Sequence, residues 1–126
     1  TNVAKVVGVS DDYDVVAEAA DAARAELGTE VSASRSQPYY LDITHPLANK
    51  GAVVRFLSER YGLETDEIAT IGDMPNDVLM FAHSGLSIAM GNAHREVQRA
   101  ARQVTTTNEE DGFAHAVERF ILDERS

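Results

Sequence analysis

The chain has no cysteine among its 126 residues, which excludes thiol catalysis, disulfides and cysteine-ligated zinc. Basic residues are scarce. Eleven Lys and Arg stand against twenty-one Asp and Glu, for a net charge of -10. A nucleic-acid-binding face needs clustered Lys and Arg to neutralise phosphates, so that class of partner is excluded, as is an anionic membrane surface. A small phosphorylated ligand is not excluded, because a metal ion can reverse the field locally. No apolar run approaches the roughly 20 residues of a membrane span, and no signal-peptide pattern is present, so a cytoplasmic location is expected. No Gly-x-Gly-x-x-Gly joins a strand to a helix, which argues against a dinucleotide-binding module. His45, His83, His94 and His115 lack metal-ligand spacing.

What is present is an apolar content of 44%, enough for a packed core. "VAKVVGVS" (Val3 to Ser10) has the β-branched character of a strand. A helix follows, with Asp14 as its expected cap, Val15, Ala19, Ala22, Ala23 and Leu27 at helical spacing, and Gly28 as its stop. "VSASRS" and "YYLDIT" predict two strands around Gln37-Pro38. "HPLANKG" reads as a linker, since His45-Pro46 breaks any regular element. A boundary is therefore expected near residue 45, after a small β-α-β-type module.

Beyond it helix and strand alternate. Val53, Val54, Leu57 and Tyr61 mark a helical face closed by Gly62. "EIATIG" is a buried-type strand, "NDVLMFAHSG" a helix, "LSIAM" a strand, "AHREVQRAA" a helix and "QVTTT" a short strand. The last helix, "GFAHAVERFIL", is expected to turn Phe113, Ala116, Val117, Phe120 and Ile121 inward. Alternation without a hairpin signal predicts a parallel sheet of about three strands flanked by helices, a Rossmann-like α/β half.

One stretch carries chemistry. Ligands of open parallel α/β sheets sit at the carboxyl ends of the strands. Asp73 lies at such an end, after Gly72, and offers oxygen donors suited to Mg²⁺. Asn76 and Asp77 begin the next helix, where either can cap it, and where Asp77 can hold a metal-bound water or pair with a lysine. The candidate lysine is Lys50 in "ANKG", suited to offsetting charge on a phosphoryl group in transit. A cation at a helix N-terminus opposes the macrodipole, which hints at a role other than stability.

"NKGAVVRFLSERYGL", "EIATIGDMPNDVLMFAHSGLSIAMGNA" and "VTTTNEEDGFAHAVERFIL" together resemble the C-terminal half of a haloacid dehalogenase superfamily hydrolase, most of all the Cof-type, class IIB sugar-phosphatase branch. The resemblance covers residues from about 45 to 122 well and the first 45 loosely. It implies that residues 1–45 end an α+β cap domain and that 46–126 form the C-terminal half of the core. It also implies a Mg²⁺-dependent phosphomonoesterase working through an aspartyl-phosphate on a small phosphorylated metabolite. Lys50 then stabilises the nucleophile and phosphoryl charge, Asn76 lies beside the phosphate, Asp73 ligates Mg²⁺, Asp77 supports the metal site or pairs with the lysine, and Asn92 lies near the mouth.

The family's nucleophile sits in an Asp-x-Asp motif after the first core strand. "DYDVV" (Asp12 to Val16) has that spacing, but it lies too close to Lys50 and runs straight into an Ala-rich helix, where capping explains it. The chain is therefore expected to lack the nucleophile, and its start at Thr1 rather than Met is read as processing or a cut. Such a half would expose a sheet flank, so self-association or a complementary N-terminal half is expected. The alternative is a non-catalytic remnant that acts as a binding or self-associating module.

Overall fold

The computed structural model describes residues 2–123. Thr1 and the end of the 46–126 segment lie outside the described residues. Two three-stranded sheets organise the chain. The first runs in the order β1-β3-β2, from β1 (Lys5–Val9), β2 (Ser32–Gln37) and β3 (Tyr40–Thr44), all antiparallel. Pro38 and Tyr39 make the tight β2–β3 connection. Helix α1 (Tyr13–Leu27) covers this sheet through Val16 and Ala20, which pack with Leu41.

The cap of α1 is Asp12 rather than Asp14. The Asp12 carboxylate accepts from the Asp14 and Val15 N–H groups at 3.2 and 3.3 Å. The buried stripe is also displaced by one residue, because Val15 is exposed while Val16 faces the sheet.

The second sheet is parallel, in the order β4-β5-β6, from β4 (Ala69–Gly72), β5 (Leu86–Ala89) and β6 (Gln103–Val104). Helices α2 (Lys50–Tyr61), α3 (Val78–Phe81), α4 (Arg95–Ala100) and α5 (Gly112–Ala116) alternate with these strands, and α5 continues as a π-helix over Val117–Leu122. Phe81, Ala89, Ala93 and Val97 form its core. A buried Thr70–Ser84 hydroxyl contact of 2.7 Å ties β4 to the turn after α3. The α/β class and the parallel half follow the sequence expectation.

Three helical expectations need correction. Val53, Leu57 and Tyr61 of α2 are exposed, because α2 meets α3 through its first turn, where Gly51 is buried. The helix expected over 76–85 shrinks to the 3-10 turn Pro75–Asp77 and the single turn of α3, since the Asp77 side chain folds back onto the preceding loop. In the last helix Ala116 is buried, but Phe113 and Ile121 face outward.

Candidate active site

The site is built on the carboxyl end of β4. The chain leaves Gly72, passes Asp73 and Met74, and turns into Pro75–Asp77. Asp77 is 3% exposed. Its Oδ2 accepts the N–H groups of Asp73 at 2.9 Å and Met74 at 3.0 Å, and its Oδ1 accepts from Lys50 Nζ. The Asp77 carboxylate thus fixes the backbone on which Asp73 sits. Glycine at 72 is a steric requirement of this arrangement. A Cβ there would lie 2.7 Å from Asp77 Cγ and 2.8 Å from Oδ2.

Lys50 arrives from the other side by an equally local logic. Asn49 caps α2, its side chain accepting from Ala52 N–H at 2.9 Å. Gly51 lets the first turn of α2 lie on the Leu79 backbone, where a Cβ would come within 3.0 Å of the Leu79 carbonyl carbon. The cap and the close approach together carry the Lys50 ammonium to Asp77. Burial alone would raise the Asp77 carboxyl. The Lys50 hydrogen bond, the two amide donors and the lysine charge outweigh it and hold the carboxyl below the usual carboxylate range. Asp77 is therefore ionised at neutral pH and unsuited to donating a proton.

Of the two roles open to Asp77, the geometry realises the lysine pair. Both carboxylate oxygens accept hydrogen bonds within the protein, and through them Asp77 positions its neighbours. Asp73 is different, since it lines a cleft of about 780 Å³. The buried Oδ1 of Asn76 has no hydrogen-bond partner among the described residues. Leaving such an acceptor unmatched costs about 1–3 kcal/mol, so it marks a position for a donor or a cation.

Mg²⁺ is commonly held through one or two carboxylates, with water and substrate phosphate completing its shell. One cleft carboxylate and one unmatched buried oxygen fit part of such a shell. Among the described residues no cluster of three or more His, Asp or Glu could hold a metal without further donors. Asp73 is the residue that would hold the ion, and the ion would supply charge neutralisation beside a phosphate.

Asn92 also lines the cleft, and its Oδ1 accepts the Asn108 N–H at 2.9 Å, so it stitches the loop after β5 to the loop after β6. Gln98 braces the same loop, donating to the carbonyls of Gly91 at 3.0 Å and Ala93 at 2.9 Å. The first sheet and its covering helix also line the cleft, through Arg35 and Gln37 of β2 and Tyr13 at the start of α1, and His94 and Glu96 add polar groups from α4 and its start. Sequence reasoning missed these residues. The available signal was the spacing of Arg35 and Gln37, two apart along a strand. Asp12 and Asp14 do not line the cleft.

Asp73, Asn76, Asp77 and Lys50 thus gather at a strand's carboxyl end, where open α/β sheets bind their ligands. The model of the haloacid dehalogenase-like hydrolases matches residues 1–117, and the chain belongs to that family. A Haemophilus influenzae protein described as a candidate phosphatase is 46% identical over 88 residues, 70% of this chain and 34% of that protein. The Bacillus subtilis 5-amino-6-(5-phospho-D-ribitylamino)uracil phosphatase YwtE is 31% identical over 120 residues, 95% of this chain and 41% of that protein. Among solved structures, a haloacid dehalogenase-like hydrolase from B. subtilis superposes with a TM-score of 0.84 at 25% identity, over 94% of this chain and 41% of that one. A subclass IIB sugar phosphatase shares the fold with a TM-score of 0.78 at 24% identity, over 95% of this chain and 44% of that one. The chain thus spans 34% and 41% of the length of these two curated relatives. No helix among the described residues is long and apolar enough to cross a membrane.

Proposed function

We propose that this chain is the phosphate-side half of a Mg²⁺-dependent phosphomonoesterase acting on a small phosphoester such as a sugar phosphate. The observation that carries the reading is the Lys50–Asp77 pair, held in place beside Asp73 at the end of β4. Lys50 offers the positive charge that a transferring phosphoryl group requires. Asp77 orients that ammonium and the Asp73 backbone. Asp73 holds the metal, Asn76 offers a buried polar group beside the phosphate, and Asn92 shapes the mouth.

The nucleophile in this reading is a carboxylate outside the 126 residues. It attacks phosphorus, the P–O bond to the alcohol breaks, and a second carboxylic acid outside the 126 residues gives that oxygen its proton. The same group, now a carboxylate, takes a proton from the water that attacks the aspartyl-phosphate and releases inorganic phosphate and the free carboxylate. Capping accounts for Asp12, and Asp12 is absent from the cleft, which supports this assignment. Two relatives are named for small phosphate monoesters, the YwtE phosphatase above and a phosphoglycolate phosphatase of Methanothrix thermoacetophila, which supports this substrate class. The exposed valines of the edge strand β1 and the free edge of β4 support association with a complementary segment.

The test is phosphate release from a panel of phosphoesters by the full-length natural polypeptide in which this sequence occurs. The expected result is turnover that EDTA abolishes and that Asp73→Asn lowers by at least about 100-fold. Turnover indifferent to both would overturn the reading. A folded protein with no turnover would favour the non-catalytic alternative.

A further inference from the structure

We propose that Arg35 determines specificity by binding a second anionic group on the leaving half of the phosphoester. This rests on the phosphatase reading above. Of the Lys and Arg side chains of the described residues, Arg35 is the one that lines the cleft. The ion pairs of the described residues are Lys5–Asp42, Arg24–Asp21 and Lys50–Asp77, and Arg35 belongs to none of them. It is half-buried and lines the same cleft as Asp73.

The backbone makes a particular arrangement for this residue. From Ser34 to Gln37, β2 runs one residue longer than the stretch of β3 from Asp42 to Tyr40 that it pairs with. Arg35 lies within that bulge. Bulges beside ligand sites re-aim a side chain that regular pleating would send elsewhere. The bulged strand is also the one that packs against the Pro75–Asp77 turn, which brings the first sheet alongside the loop that carries Asp73.

The lining of the cleft thus has two origins. The second sheet contributes Asp73, and the first sheet contributes a guanidinium, with Met74 and Pro75 adding apolar surface. A volume of about 780 Å³ suits a small metabolite that carries two charged groups. The planar fork of arginine matches a carboxylate or a phosphate through two parallel hydrogen bonds.

The experiment compares kcat/KM for two matched pairs on the full-length natural polypeptide. Glycerate 3-phosphate against glycerol 3-phosphate isolates a carboxylate, and fructose 1,6-bisphosphate against fructose 6-phosphate isolates a second phosphate. The wild type is expected to prefer the anionic member of one pair, which identifies the group. In Arg35→Gln that preference should fall by roughly 10- to 100-fold, the range for losing a charged hydrogen bond. Arg35→Lys, which keeps the charge but not the fork, should fall in between. Turnover with no anionic preference in the wild type, or with a preference unchanged in Arg35→Gln, would overturn the role of Arg35 alone. No turnover on any phosphoester would remove the phosphatase reading and this inference with it.

Discussion

Replacing Lys50 with methionine keeps the reach of the side chain and removes its charge. It strands the Asp77 carboxylate, whose side chain is 4% exposed, with the Asp73 and Met74 N–H groups as its remaining donors. Breaking a buried ion pair from one side costs about 3–5 kcal/mol. Two donors to the charged oxygen persist, so the expected cost here is about 2–4 kcal/mol. Asp77→Asn strands the ammonium instead. The Lys50 side chain is 50% exposed, so water takes up its charge. The asparagine oxygen still accepts an amide proton, which leaves a cost of about 1–2 kcal/mol. Adding Asp77→Asn to Lys50→Met should therefore restore stability rather than lower it further.

Urea unfolding of the three variants at neutral and acid pH checks this. Asp77 in the folded protein titrates below its ordinary value of 3.8. The contribution of the pair is therefore complete above that value and is lost as pH falls through the depressed folded value. In Lys50→Met the lone buried carboxylate is relieved by protonation, so the deficit of this variant should narrow as the pH is lowered toward about 4. Equal costs for the two single variants, summing in the double variant, would refute the reasoning.

Gly72→Ala should displace the Asp77 carboxylate and cost about 1–3 kcal/mol, with phosphatase turnover falling alongside; thermal unfolding and phosphate release read both. Gly51→Ala sets a methyl against Leu79 backbone that cannot swing aside, so it should move Lys50 and lower turnover by more than its effect on the melting temperature would suggest. Asp12→Ala should cost about 1 kcal/mol as a lost helix cap, and Asp12→Asn far less, with turnover retained in both. Loss of turnover specific to Asp12→Asn would make Asp12 the nucleophile.

The parallel half was legible because β4 and β5 are short apolar runs bounded by glycine, and the Gly-Asp turn at the end of β4 points to a candidate site in combination with Asn76, Asp77 and the upstream Lys50. Lys50 could be singled out because its place at a helix start is electrostatically awkward. Its partner was harder to choose. Whether Asp77 faces a metal or a lysine depends on how closely α2 approaches α3, and that distance is set by Gly51 against Leu79, residues far apart in sequence. The inward faces of α2 and the last helix were misjudged for a related reason. Periodicity reports where an apolar stripe lies, but not whether anything among the described residues covers it, and Val53, Leu57 and Phe113 are left outside. The Arg35 wall was harder to see, because a bulge alters which side chains share a face, so the two-residue spacing of Arg35 and Gln37 does not by itself fix where they lie.

Val16, Ala20 and Leu41 form one cluster, and Phe81, Ala89, Ala93 and Val97 form another, with no member in common. Such separation decouples the mutational histories of the two parts. A change under Arg35 or Gln37 draws on the stability of the first cluster, while the Lys50–Asp77 pair rests on the second. On the phosphatase reading proposed above, new leaving groups would be explored by drift in the antiparallel sheet while the Lys50–Asp77 pair stays intact, a division that favours diversification of substrates over diversification of reaction.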